Sequence, residues 1–146
     1  MKLITQNRKA RHDYFILDTY EAGIILRGSE IKSIRAGKVN IQDSYVTFKD
    51  GEAHLLNAHI SKFDKSNIFN HDETRTRKLL LNKNEIRRLA NQVAQEGHSV
   101  VPLSIYIKKG LCKVEIALVK GKKLYDKRET LKAKDQEKRL QKQLKG

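Results

Sequence analysis

The chain has 146 residues, 31 of them Lys or Arg against 17 Asp or Glu, for a net charge of +14, and it carries a single cysteine, Cys112. That length suits one domain with its own core; one cysteine excludes an internal disulfide and a cysteine-rich zinc site, and no apolar run nears the roughly 20 residues of a membrane span. A cation excess of this size attracts polyanions, and the cationic C-terminus has no apolar face to lay on a membrane, so nucleic acid is the expected partner.

Met1–Asn7 lacks an apolar core followed by a small-residue cleavage site, so secretion is not expected and a cytoplasmic location is. Asn7-Arg8-Lys9-Ala10-Arg11-His12 is a basic cluster: a solvated arm, or, in so cationic a chain, a phosphate contact. Tyr14–Ile25 predicts a strand. Ser29–Ala36 predicts a short helix with Ile31 and Ile34 turned inward and Gly37 ending it. Tyr45–Lys49 and Glu52–Ile60 flank Asp50-Gly51, whose tolerance of positive φ marks a type I′ hairpin. Ser61–Thr74 is polar and too long for a tight connection.

Thr76–Leu81 predicts a further strand, and Arg75, Arg77 and Lys78 set three cations beside it. Two explanations stand level there: charge protecting an edge strand, or an RNA contact surface. Asn82 and Glu85 have capping-box spacing, and Ile86, Leu89, Ala90, Val93 and Ala94 follow at helical spacing up to Gly97. Pro102, the only proline, is expected near a strand's start, where its missing N–H is tolerable. Leu103, Ile105 and Ile107 alternate with Ser104 and Tyr106; after Lys108-Lys109-Gly110, Cys112, Val114, Ile116 and Leu118 alternate with Lys113, Glu115 and Ala117. This is the period of an antiparallel hairpin with one face inward.

Composition shifts near Lys120. From there to Gly146, eleven Lys or Arg face four acids, a net of +7, with too few apolar residues for a core. The expected division is therefore an RNA-binding β-barrel domain at 1–119 and a basic tail at 120–146, disordered alone and helical once RNA neutralises it. Five or six strands with two or three short helices predict a mainly β (α+β) fold, a Greek-key barrel of the oligonucleotide/oligosaccharide-binding type; another small α+β barrel fits the pattern too.

Signs of chemistry are weak. His71-Asp72-Glu73 are neighbours, and side chains adjacent in a strand point apart rather than converging on one ion. Gly121-Lys122 lacks the upstream glycine of a phosphate loop, and Cys112 reads as a packed thiol. No catalytic residue, metal or cofactor is expected.

Several segments resemble the small protein B (SsrA-binding) family of bacteria. They are Asn7–Tyr14, Glu21-Ala22-Gly23, Gly28–Ser33, Arg35-Ala36-Gly37, Thr74–Leu81 and Gly121–Arg128, in an order and spacing that cover nearly the whole chain. The resemblance implies an adaptor that grips the tRNA-like domain of transfer-messenger RNA, as a monomer, and takes part in ribosome rescue by trans-translation. It implies body contacts at Glu21, Leu80 and Asn82, joined by Arg75, Arg77 and Lys78 of the basic junction. It implies a tail that enters the decoding centre and empty mRNA channel of a stalled ribosome, with Tyr125 stacking and Asp126, Lys127 and Arg128 following it. Lys122, Lys123, Lys132, Lys134 and Arg139 would supply charge along that path. Glu73 stands where the family usually has proline, a change expected to loosen the preceding loop. The alternatives are another ribosome- or tRNA-associated barrel and, remotely, a small metal-dependent nuclease using His71 and Glu73.

Overall fold

A computed structural model describes residues 1–62, 72–95 and 97–122. Among them are nine strands and three helices. Strands β1 (Lys2–Gln6), β2 (Tyr14–Ile24), β4 (Tyr45–Lys49), β5 (Glu52–Leu56), β7 (Arg77–Leu80), β8 (His98–Lys108) and β9 (Leu111–Gly121) form one antiparallel sheet in the order β1-β8-β9-β2-β7-β5-β4. The sheet curls so that β4, at one edge, packs against β8 near the other. Two short strands, β3 (Val39–Asn40) and β6 (His59–Ile60), pair separately. With helices α1 (Arg8–Asp13), α2 (Gly28–Arg35) and α3 (Lys83–Val93), the result is the mainly β, oligonucleotide/oligosaccharide-binding-type barrel expected. The predicted strand Glu52–Ile60 is in fact two, β5 and β6, broken where Asn57 takes φ 60°.

The turns follow the backbone chemistry of their residues. Asp50 and Gly51 both have positive φ, 54° and 75°, which suits the right-handed twist of the β4–β5 hairpin. Lys109 and Gly110 do the same for β8–β9, at 52° and 77°. Asn82 caps α3, its Oδ1 accepting from the Glu85 N–H at 2.8 Å while Glu85 reaches back to the Asn82 N–H.

The main core lies inside the barrel, where Ile34, Leu55, Ile60, Leu79, Leu89, Ile105 and Ile116 are fully buried. A second, smaller core sits on the other face of β8 and β9: Val101, Leu103, Ala117 and Val119 under Ala10 of α1 and Tyr14. The expected arm at Asn7–His12 is thus a helix that covers a sheet. Asn7 fixes it in place from a buried position, its Oδ1 accepting from the Ala10 N–H and its Nδ2 donating to the Pro102 and Ile41 carbonyls at 2.9 and 3.1 Å.

The β8 register corrects two expectations. Pro102 lies well inside the strand, beside a bulge between Pro102 and Ser104, where the ladder is already interrupted. One extra residue reverses the side-chain alternation, so Val100 and Ile105 both enter the main core, and Leu103 packs on the outer face beneath α1. Strand β9 runs two residues past the expected limit at 119, pairing Lys120 with Phe15 and Gly121 with Tyr14.

Candidate nucleic-acid interface

Glu21 and Gly23 lie on one face of β2, and β7 pairs beside them with Leu80 opposite Gly23. Gly23 leaves room for that leucine: a Cβ built on it would stand 3.3 Å from Leu80 Cβ and 3.4 Å from Cδ1. Leu80 is 51% exposed, an unusual state for a leucine in mid-sheet. It borders a groove of about 370 Å³ lined by Gly23, Ile25, Ile31, Leu80, Leu111 and Cys112, with Arg35 and Lys113 among its cations. Ile31 belongs to this groove and is exposed, which corrects its expected inward orientation; Ile34, on the same helix, is fully buried. Asn82 follows two residues after Leu80 and is also exposed.

Period two sorts the basic junction. On β7, Arg77 and Leu79 point inward and are buried, whereas Lys78 and Leu80 point outward. Lys78 Nζ lies 3.2 Å from Glu52 on β5 with 42% of its side chain exposed. Arg77 is corrected as an RNA contact because its side chain is wholly inaccessible. Its Nε donates to Glu30 Oε2 at 2.7 Å, and its Nη1 and Nη2 donate to the carbonyls of Ala58, Arg75, Asp72 and Glu73. Arg75 grips the same carboxylate, Nε to Oε2 at 2.9 Å and Nη2 to Oε1 at 2.6 Å, and keeps 22% of its side chain exposed. The alternation of Arg77 with Leu79 was the signal in the sequence that this cation faces the core.

Burial raises the Glu30 pKa, but bonds from Arg75, the Arg27 N–H and Arg77 outweigh it, and the carboxyl is held below its ordinary value. Arg77 stays charged although burial works against it, because a guanidinium titrates so far above neutrality. The carbonyl of Glu73 accepts from Arg77 and from the Ile60 N–H; the preceding loop that Glu73 was expected to loosen, at 63–71, lies outside the described residues.

Glu21 keeps 41% of its side chain exposed. It accepts a short hydrogen bond from the Tyr106 hydroxyl, with Lys108 Nζ at 3.5 Å. The Tyr106 bond is the largest cause holding its pKa below the ordinary value.

Lys122, the last described residue, places its Nζ 5.4 Å from the Phe15 ring centre. The other expected tail residues, Lys123, Tyr125, Asp126, Lys127, Arg128, Lys132, Lys134 and Arg139, lie outside the described residues, as does His71. Among the described residues no three His, Cys, Asp or Glu side chains are grouped to hold a metal, and no helix is long and apolar enough to cross a membrane. Burial pushes the Cys112 thiol up to about 11, which makes it a poor nucleophile.

The family model described as SmpB protein matches residues 4–146. This chain belongs to that family. An SsrA-binding protein from Shouchella clausii is 57% identical over 144 residues, covering 99% of this chain and 92% of the relative. Another from Acholeplasma laidlawii is 56% identical over 146 residues, covering 100% and 98%. Among solved structures, a chain described under "tmRNA-SmpB: a journey to the center of the bacterial ribosome" matches with a TM-score of 0.70 and 51% identity, over 81% of this chain and 83% of that one. The segments that resembled this family in the sequence supply the β2, α2 and β7 surfaces described above.

Proposed function

We propose that this SmpB-family chain binds the tRNA-like domain of transfer-messenger RNA and delivers it to stalled bacterial ribosomes for trans-translation. The observation that carries this reading is that Glu21, Leu80 and Asn82 are all exposed and gathered by the adjoining strands β2 and β7 and the start of α3. They combine a carboxylate, an apolar surface and an amide, a set suited to base edges and ribose hydroxyls rather than to phosphates alone. Arg75, Lys78, Lys108 and Lys113 surround this mixed surface with positive charge.

The chain acts as an adaptor: it contributes binding and no bond-breaking chemistry, and it works in the cytoplasm, where ribosomes translate. Residues 123–146 follow the vacant mRNA path with their cations, and Tyr125 stacks on a base in the decoding centre. Such stacking contributes about 1–3 kcal/mol per base.

Purifying the tagged full-length protein from bacterial cells and sequencing the bound RNA tests the reading. Enrichment of transfer-messenger RNA over bulk tRNA and ribosomal RNA is expected. Equal recovery of all tRNA-shaped RNAs would replace this assignment with a general tRNA-binding role, and magnesium-dependent cleavage of the captured RNA would replace the adaptor with a nuclease.

A further inference from the structure

Glu21 is an acid on a surface that must approach a polyanion, and its surroundings show how that is useful. The β2–β9–β8 ladder aligns Glu21 with Glu115 and Ser104 on one rung, and Gly23 with Lys113 and Tyr106 on the next. Tyr106 therefore lies diagonally across β9 from Glu21, on the same face of the sheet. Its ring is buried, with 8% of the residue exposed, and its hydroxyl crosses the intervening strand to donate to Glu21 Oε2. Lys108, two residues further along β8, approaches the same oxygen. Both contacts fall on Oε2, and none among the described residues falls on Oε1.

We infer that Tyr106 is a positioning residue: it clamps Glu21 through one oxygen so that Oε1 accepts from an amino or ring N–H group on the edge of an unpaired RNA base. This rests on the reading of Glu21 as an RNA contact and deepens it. An ionised carboxylate only accepts hydrogen bonds. It repels phosphate but matches the N–H donors of unpaired base edges: the amino groups of guanine, cytosine and adenine and the ring N–H of guanine and uracil. A freely rotating glutamate loses side-chain freedom on binding, and a clamped one has already lost it.

The charged groups facing this carboxylate are Lys108 on β8 and Lys113 on β9, which favour its ionised form, and Glu115, its direct neighbour on β9, which also acts on Tyr106. Burial and the neighbouring carboxylates push the Tyr106 pKa upward, so the phenol remains a donor through the physiological range.

The test uses the full-length protein and a transcript of the tRNA-like domain of transfer-messenger RNA. Tyr106→Phe keeps the ring and removes only the donor. It should weaken binding about three- to tenfold, the range set by the freedom one side chain loses when it is immobilised on binding. In an Glu21→Ala background the same change should cost less than about twofold, because nothing remains to position. Lys108→Met should follow the same pattern more weakly.

The pH profile supplies a readout that a packing role would not move. Glu21 must be ionised to bind, and losing the Tyr106 bond lets its pKa rise, so the acid fall-off in affinity should begin at higher pH in Tyr106→Phe than in the wild type. If Glu21→Ala leaves affinity unchanged, Glu21 is no RNA contact, and the clamp falls with that assignment. If Glu21→Ala weakens binding but Tyr106→Phe does not, or if Tyr106→Phe costs as much in both backgrounds with no change in pH profile, the contact stands and the positioning role is overturned.

Discussion

Arg77 Nε donates to Glu30 Oε2 at 2.7 Å with both side chains wholly buried, joining strand β7 to helix α2 through the interior. The two partners do not have equal replacements. Glu30 accepts from Arg27, Arg75 and Arg77, and Arg77 donates to four carbonyls as well. Removing the Glu30 charge strands the Arg77 guanidinium in a low-dielectric site, which typically costs about 3–5 kcal/mol, whereas removing Arg77 leaves Arg75 on the carboxylate but takes the donor from four carbonyls. Glu30→Gln and Arg77→Met should each lower the urea midpoint strongly. Arg75→Met should cost less, because Arg75 is partly solvated and Arg77 still covers the carboxylate. Wild-type midpoints for all three would mean that the network contributes little to folding.

The same carboxylate makes stability depend on pH. Glu30 has a folded pKa below its unfolded value, so its contribution is complete above the unfolded pKa, near 4.3, and is lost as pH falls through the folded one. Urea unfolding at a series of pH values should show stability declining from about pH 5 downward. Glu30→Gln should be less stable at neutral pH and show a shallower acid decline.

Asn7→Ala should destabilise the protein by about 1–3 kcal/mol, since it removes a helix cap and takes a donor from the buried Pro102 and Ile41 carbonyls, of which Ile41's keeps the Ser44 N–H. A thermal melt measures this directly. Asn7→Asp keeps the capping oxygen but cannot donate to Ile41 and Pro102, and should be at least as harmful because it buries a charge. A neutral Asn7→Ala would show that the Asn7 bonds are not what hold α1 over the outer face of β8 and β9.

Much of this fold was legible because its signals are local. Asp50-Gly51 and Lys109-Gly110 carry their turns in their own residues, and Asn82 with Glu85 marks the start of α3 without reference to the rest of the molecule. What escaped depends on distant partners. Helix α1 is six residues long and has no apolar stripe; it exists because Asn7 reaches carbonyls on two other segments. The bulge that sends Leu103 outward rests on the same asparagine, through Pro102. Arg77 looked like a surface cation because its carboxylate partner lies 47 residues earlier in the chain. The surface at Glu21, Leu80 and Asn82 was accessible only through family resemblance, since none of the three is unusual in its local sequence.

At Asn82 the capping role and the proposed binding role can be separated by substitution. Its Oδ1 caps α3 in the described fold, so Asn82→Ala would alter folding and RNA contact together. Asn82→Ser retains a capping oxygen of similar strength and discards the amide. The serine variant should melt within about 0.5 kcal/mol of the wild type while binding the tRNA-like transcript more weakly; the alanine variant should lose in both assays. Full RNA affinity in Asn82→Ser would restrict this residue to capping.

Truncation separates the body from the tail. Because β9 pairs through Gly121, a truncation meant to preserve the barrel should end after Lys122; stopping at Val119 would remove the pairings of Lys120 and Gly121. The 1–122 protein should retain its base-specific contacts and bind the tRNA-like transcript, though with a smaller salt slope wherever tail cations had displaced counterions from phosphate. On stalled ribosomes it should fail to support tagging. Tyr125→Ala in the full chain should give the same functional loss with unchanged RNA binding, and Tyr125→His should be milder because its ring can still stack. A basic tail that served only to raise local concentration would behave differently: Tyr125→Ala would tag normally, and 1–122 would recover activity as its concentration increased. Measuring tagging rate against protein concentration for all three variants separates a probe of the mRNA path from a reservoir of charge.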